Sequence, residues 1–307
     1  MRTKIIKAVC YPLFFLACLV FFVIQGFPVK VVGELVAKQA KQKLGMKVTI
    51  NDIDTLFPNG VEATGIRLFK EAKPGKEDAL PTSIKIDQLS ARISLFGLIG
   101  GNKDISFSSD VLSGKLEGDF KLEPEKWSLQ AKLAGVNLGR LNFWPELIGQ
   151  DLSGKASGSL NLNVIPKDIK AATGDIVLDL VQGQLGKGKA YGVEIPPISL
   201  GKTQINLSIL KGKAEIKTFK VASDDIEASL DGYFLLQQKI EHLSAHCRLR
   251  FKPSEEKLAE IRNQIPQEFR GLFDGELNKA KGKDGYYRYS IFGRLFGGKP
   301  QFRPLKQ

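Results

Sequence analysis

The feature that most constrains this chain is a two-residue hydrophobic period that begins after Lys47 and keeps returning towards the C-terminus. Successive side chains of a strand point to opposite faces, so apolar residues at every second position mark a strand with one apolar side. The clearest set is Leu243, Ala245, Cys247, Leu249 and Phe251, alternating with Ser244, His246, Arg248 and Arg250. Shorter sets recur at Val48 and Ile50, at Leu116, Gly118, Phe120 and Leu122, and at Leu129, Ala131 and Leu133. Others lie at Leu160, Leu162 and Val164, at Ile176, Leu178 and Leu180, and at Ile205, Leu207 and Ile209. Ala91 and Ile93 carry the opposite parity from Ile84 and Ile86, which predicts a bulge around Asp87 to Leu89. Gly, Asn, Asp or Pro separates these segments, the pattern of a largely antiparallel sheet with one apolar face. No long helices alternate with the strands, which argues against a βαβ enzyme fold.

Such a face must be covered. Ser254 to Ile265 reads as a helix: Ser254 caps it, Glu255 and Glu256 suit its first turn, and Leu258, Ile261 and Ile265 share a side. Pro266 ends it, and Pro145 to Ile148 offers one more turn. These are too few residues to blanket nine or more strands. The sheet must pack on itself as a sandwich, close into a barrel, or curl into a trough with an apolar interior. Leu160, Leu178, Leu207 and Leu249 are the candidate lining of a trough, or the core of a sandwich. A loose echo supports repeated hairpin units: Leu112-Ser113-Gly114 with Gly118 returns as Leu152-Ser153-Gly154 with Gly158, and partly as Gly271 to Leu277.

The N-terminus reads differently. Ala8 to Phe27 contains no charge, and twenty helical residues reach about 30 Å, the thickness of a hydrocarbon core. Arg2, Lys4 and Lys7 precede it, which predicts a cytoplasmic N-terminus. No small-x-small cleavage site follows at Gln25-Gly26-Phe27-Pro28, so a retained anchor is expected rather than a cleaved signal. The expected organisation is a cytoplasmic segment 1–7, a transmembrane helix 8–27, a juxtamembrane helix 28–46 and a periplasmic β-rich domain 47–307. The fold class expected is mainly β: the anchor, then an elongated, curved, largely antiparallel sheet, as a trough or incomplete barrel, with short helices. Inner-membrane lipids, and phospholipid in the sheet interior, are the partners this organisation implies.

Charge and rare residues narrow the chemistry. Lys plus Arg number 45 against 33 Asp plus Glu, a net charge of +12, which suits anionic headgroups, nucleic acid or an acidic partner. The basic residues are spread out rather than interleaved in an aromatic groove, so no nucleic-acid partner is expected. With 2 His and 3 Cys, no metal or cofactor is expected. Gly183-Gln184-Leu185-Gly186-Lys187-Gly188-Lys189 nearly spells a phosphate-binding loop, but Ala190 replaces the Ser or Thr and no helix follows; it reads as a polar turn. His242 and His246, four apart on a strand, stand about 13 Å apart, too far to share a metal. No nucleophile or acid–base pair has a recognisable setting, so no catalytic residue is assigned. Tyr286, Tyr287, Arg288 and Tyr289 form the densest aromatic–polar cluster and are the candidate interface.

The order of several phrases resembles the GspN family of type II secretion proteins. They run from Phe27-Pro28 through Leu56-Phe57-Pro58-Asn59-Gly60, Gly65-Ile66-Arg67-Leu68, Leu133-Ala134-Gly135-Val136-Asn137 and Leu152-Ser153-Gly154 to Asp284-Gly285-Tyr286-Tyr287-Arg288-Tyr289. That resemblance implies a non-enzymatic, bitopic inner-membrane accessory component with other secretion subunits as partners, and no residue-level active site. The anchor, helix and glycine-rich strands also resemble the start of AsmA-type proteins. This implies the alternative of a periplasmic lipid-binding or lipid-bridging protein.

Overall fold

A computed structural model of the 307-residue chain describes residues 33–34, 37–38, 41–42, 46–69, 83–94, 103–141, 144–145, 149–190, 193–237, 242–294 and 301–305. Among them, sixteen strands join in one sheet. The first seven are β1 (Lys47–Thr49), β2 (Asp52–Leu56), β3 (Gly60–Phe69), β4 (Ser83–Ile93), β5 (Lys103–Val111), β6 (Gly114–Leu122) and β7 (Trp127–Asn137). Then come β8 (Gln150–Ile165), β9 (Asp168–Ala190), β10 (Val193–Ile195), β11 (Ile198–Leu210) and β12 (Lys213–Ala222). The last are β13 (Ile226–Leu235), β14 (Ser244–Pro253), β15 (Tyr287–Arg294) and β16 (Gln301–Pro304). Every pairing is antiparallel and joins near neighbours in the chain. The sheet is open: β1 and β2 share the outer edge of β3, and β16 forms the opposite edge.

Alternation fixes the parity of the register, because a one-residue slip would turn each apolar set to the other side. The bulge expected in β4 is present as a register shift between Ile86 and Gln88, and it brings Ile86 and Leu89 onto one face. Glycine serves close approach at Gly118 and Gly158, where a Cβ would strike the carbonyls of Gln130 and Val177 on the neighbouring strands.

Two helices follow β14. Helix α1 (Glu255–Asn263) starts where the capping residue requires, with the Ser254 hydroxyl accepting from the Lys257 amide, and Ile265 beyond its end is buried. Lys257 ties it to the sheet, its Nζ 3.0 Å from the Pro197 carbonyl and 3.5 Å from Asp225. Helix α2 (Gln267–Ala280) corrects the expectation that Gly271 to Leu277 opens a strand. Phe269, Phe273, Leu277 and Ala280 recur at helical, not alternating, spacing, and the segment follows Pro266 at the N-cap. The Gly183–Lys189 phrase is also corrected: it lies inside β9, not in a turn.

The fold class needs correction too. Residues 8–27, the expected anchor, lie outside the described residues, as does most of 28–46, of which 33–34, 37–38 and 41–42 are helical. Among the described residues no helix is long and apolar enough to cross a membrane. The elements present give a mainly β, open sheet with short helices, in place of an anchored trough or incomplete barrel. The expected inner-membrane, single-pass localisation is corrected with it, since no described helix can supply the single pass.

Candidate functional site

The pairings place the apolar sets of separate strands on one continuous face. A single cross-strand row runs Thr55, Val61, Ala91, Phe107, Gly118, Ala131, Leu160, Ile176, Leu207, Ile216, Gly232, Cys247, Ile291, Phe302. It crosses fourteen strands without a charged residue, which at the usual interstrand spacing is about 60 Å. A parallel row two residues away contains Leu116, Leu133, Gly158, Leu178, Ile205 and Phe219. The candidate lining residues Leu160, Leu178, Leu207 and Leu249 all lie on this face and are all half-buried.

Burial defines the character of the face. Its most buried members are small or central, such as Ala131, Ala156, Ala214, Ile216, Ala245 and Cys247. No large side chain among the described residues is fully buried, as expected of one layer whose face is not sealed by a second. The helical segment at one end touches the face, since a Cβ on Gly33 would meet Ile53 Cδ1 at 2.5 Å. At the other end α2 lies beside β15 and β16; burial first, and then Glu276 of α2, pushes the Tyr289 phenol up. The two buried polar side chains on this face turn their hydroxyls to backbone carbonyls: Ser109 Oγ donates to Gln88 O at 2.9 Å and Thr203 Oγ1 to Leu200 O at 3.3 Å. Burial likewise pushes the Cys247 thiol up, so it stays a neutral apolar side chain rather than a thiolate.

The four residues of the candidate interface do not share a surface. Tyr287 and Tyr289 sit on the apolar face, their rings 5.4 Å and 6.1 Å from that of Phe251. Tyr286 and Arg288 lie on the other side, in a network of their own. The Tyr286 hydroxyl donates to Glu227, Arg288 donates to both oxygens of Asp284, and Arg250 covers the Tyr286 ring at 3.6 Å while donating to Asp284 at 3.1 Å.

The remaining chemical phrases lack the geometry their chemistry needs. Gly188 in β9 pairs with Gln150 of β8 on one side and Ile195 of β10 on the other, so this backbone is engaged in the sheet rather than curled around an anion. Lys187 and Gly188 line an open cleft of about 550 Å³ with Ile195, Pro197 and Glu260. His246 stacks on Tyr233, with ring centroids 5.2 Å apart. Among the described residues no group of three His, Cys, Asp or Glu side chains is placed to hold a metal ion.

Several face residues escaped the sequence reading. Val61, Ala63, Ile66, Phe107, Ala214, Leu230 and Phe234 line the same face. Their alternation is written in the chain but broken by Gly65 in β3, Ser109 in β5, the register shift after Ile216 in β12 and Gly232 in β13.

The class of protein that these features define is a mainly β, open antiparallel sheet with one apolar and one polar face. The chain matches no family model, no curated protein and no solved structure. The role expected from resemblance, in type II secretion or alternatively as an AsmA-like envelope protein, is corrected accordingly. It rested on an anchor that is not among the described elements and on ordered phrases that no family match supports. What the structure carries is the β-sheet domain itself.

Proposed function

We propose that this protein is a non-enzymatic binding scaffold whose apolar sheet face holds the hydrocarbon chains of a lipid. The observation that carries this reading is the uncharged row from Thr55 to Phe302, half-buried over its central strands. Each methylene fully removed from water contributes about 0.8 kcal/mol, so a face several strands wide favours a long apolar ligand. A protein ligand would bring polar groups that need partners, and Ser109 and Thr203 have already turned theirs inward. A hydrocarbon chain brings none.

The test places a photocrosslinking residue separately at Leu160, Leu178, Leu207 and Leu249, in protein purified with its native lipids. Lipid adducts at two or more sites are expected, together with phospholipid in the solvent extract. Absence of lipid adducts at all four sites, or crosslinks only to other segments of the same chain, overturns the reading.

A further inference from the structure

The polar face differs between the two halves of the sheet. From β4 to β9 it carries mostly polar and charged side chains with the exposed Val177 and Val181 and no ring, as in the opposed pairs Ser106–Asp119, Gln130–Asn161 and Asn161–Asp175. From β12 to β16 it carries a row of rings instead. Tyr233, His246 and Phe292 stand directly opposite one another on β13, β14 and β15. Tyr233 and His246 stack with their planes 14° apart. The row itself ends in Glu215 on β12 and Gln301 on β16, and a cation reaches over each outer ring from an adjacent row, Lys213 Nζ 4.7 Å from the Tyr233 centroid and the Arg303 guanidinium 4.6 Å from that of Phe292. Arg248 lies two residues along β14 from His246 on the same face. Lys213, Arg248, Arg303 and His246 are exposed. Among the described residues, none of Lys213, Arg248 and Arg303 is held in an ion pair, although Asp231 stands opposite Arg248 on β13; Glu215 is taken by Lys217 at 2.7 Å.

We infer that this ring-and-cation row is a docking surface for an acidic segment of a partner protein, a function separate from lipid holding on the opposite face. The rings hold the two terminal cations in place and leave their N–H donors towards solvent, which lowers the ordering cost of meeting a carboxylate. Tyr233 and His246 stack on each other, and Lys213 and Arg303 cover Tyr233 and Phe292, so the row is not the run of free ring faces that nucleic-acid bases require. From β12 to β16 the row spans four interstrand steps, about 19 Å, which an extended peptide of about six residues covers. Charge complementarity selects glutamate- or aspartate-rich chain.

The probe is a fluorescent octaglutamate peptide titrated into the full chain at low and physiological salt, with single-stranded DNA and anionic vesicles as competitors. Saturable binding that weakens with salt is expected. A Lys213→Ala/Arg303→Ala variant should bind about tenfold more weakly, and Phe292→Leu, which keeps every charge, at least threefold more weakly. Lys115→Ala/Lys121→Ala on the polar face of β6 removes the same charge and should change little; circular dichroism checks that each variant is folded. Equal loss in both double variants would reduce the effect to the chain's net charge of +12 and overturn the inference. So would unchanged affinity in Phe292→Leu, no saturable binding, or preferential displacement by DNA or vesicles. Lipid adducts on the opposite face are read independently of all these outcomes.

Discussion

Leu249 and Arg248 are chain neighbours with opposite surroundings: Leu249 faces Leu230 on the apolar side of the β13–β14 ladder, and Arg248 faces Asp231 on the polar side. The alternation that separates them by one residue in sequence separates them by the thickness of the sheet in space. Leu249 is half-buried and Arg248 exposed.

Leu249→Asp is therefore expected to cost about 3 kcal/mol, because a carboxylate replaces apolar contacts and gains no partner. Arg248→Asp should stay within about 1 kcal/mol. Urea midpoints of the two variants check this. Similar midpoints would mean that the register of β14 is not the one described.

Glycines at two positions should respond in opposite directions. Gly158→Ala forces a Cβ onto the Val177 carbonyl and is expected to destabilise by about 1–3 kcal/mol. Gly271→Ala, in the exposed interior of α2 with nothing within 4 Å, should stabilise by about 0.5–1 kcal/mol. Thermal unfolding of both variants gives the two signs.

The Asp284 turn should show acid-dependent stability. Hydrogen bonds from Arg288 above all, then from the Tyr286 amide and Arg250, hold the Asp284 carboxyl well below the usual carboxylate range. A depressed folded value adds stability above the unfolded value near 3.8, and this is lost as pH falls towards the folded value. The stability difference between the natural chain and Asp284→Asn should thus be constant from about pH 5 to 7 and shrink below about pH 4. A difference that persists unchanged to about pH 2 would contradict this ionic role.

Lys257→Met should loosen α1 while keeping the aliphatic stem. Its ammonium meets Glu260 at 2.7 Å as well as Pro197 and Asp225, and its side chain is only 14% exposed. The Glu260 hydrogen bond first, and then Asp225, raise its proton affinity against the opposing effect of burial. This stabilisation is present below the ordinary value of 10.5 and lost as pH rises through the folded one. A loss of about 1–2 kcal/mol is expected, with faster amide exchange in α1 than in β14.

The parts of the fold legible in the sequence were those written in local periodicity. The set from Leu243 to Phe251 marks β14, the parity change at Asp87 marks the bulge in β4, and Ser254 with Glu255 and Glu256 marks the start of α1. Each depends on residues within a few positions. Gly271 to Leu277 mimics a strand start because its glycines copy those of β6 and β8, while the helical spacing of Phe269, Phe273, Leu277 and Ala280 decides the segment. Gly183 to Lys189 mimics a turn because glycines also occur where strands approach closely; Gly183 lies against Leu180 and Leu200.

Which side of each strand is apolar is already written in the order of its residues, since alternation is a property of the strand alone. Leu160, Leu178, Leu207 and Leu249, on four separate segments, are each assigned to the apolar side by it. The same alternation puts Tyr287 and Arg288, adjacent in the chain, on different faces, whereas the side-by-side placement of Leu160, Ile176 and Leu207 comes from the pairing of strands in the tertiary structure. It alone brought Tyr233, His246 and Phe292 into one row and laid Lys213 and Arg303 over its outer rings. Register between strands depends on turns and bulges summed along the whole chain, and on pairing partners a single segment does not encode.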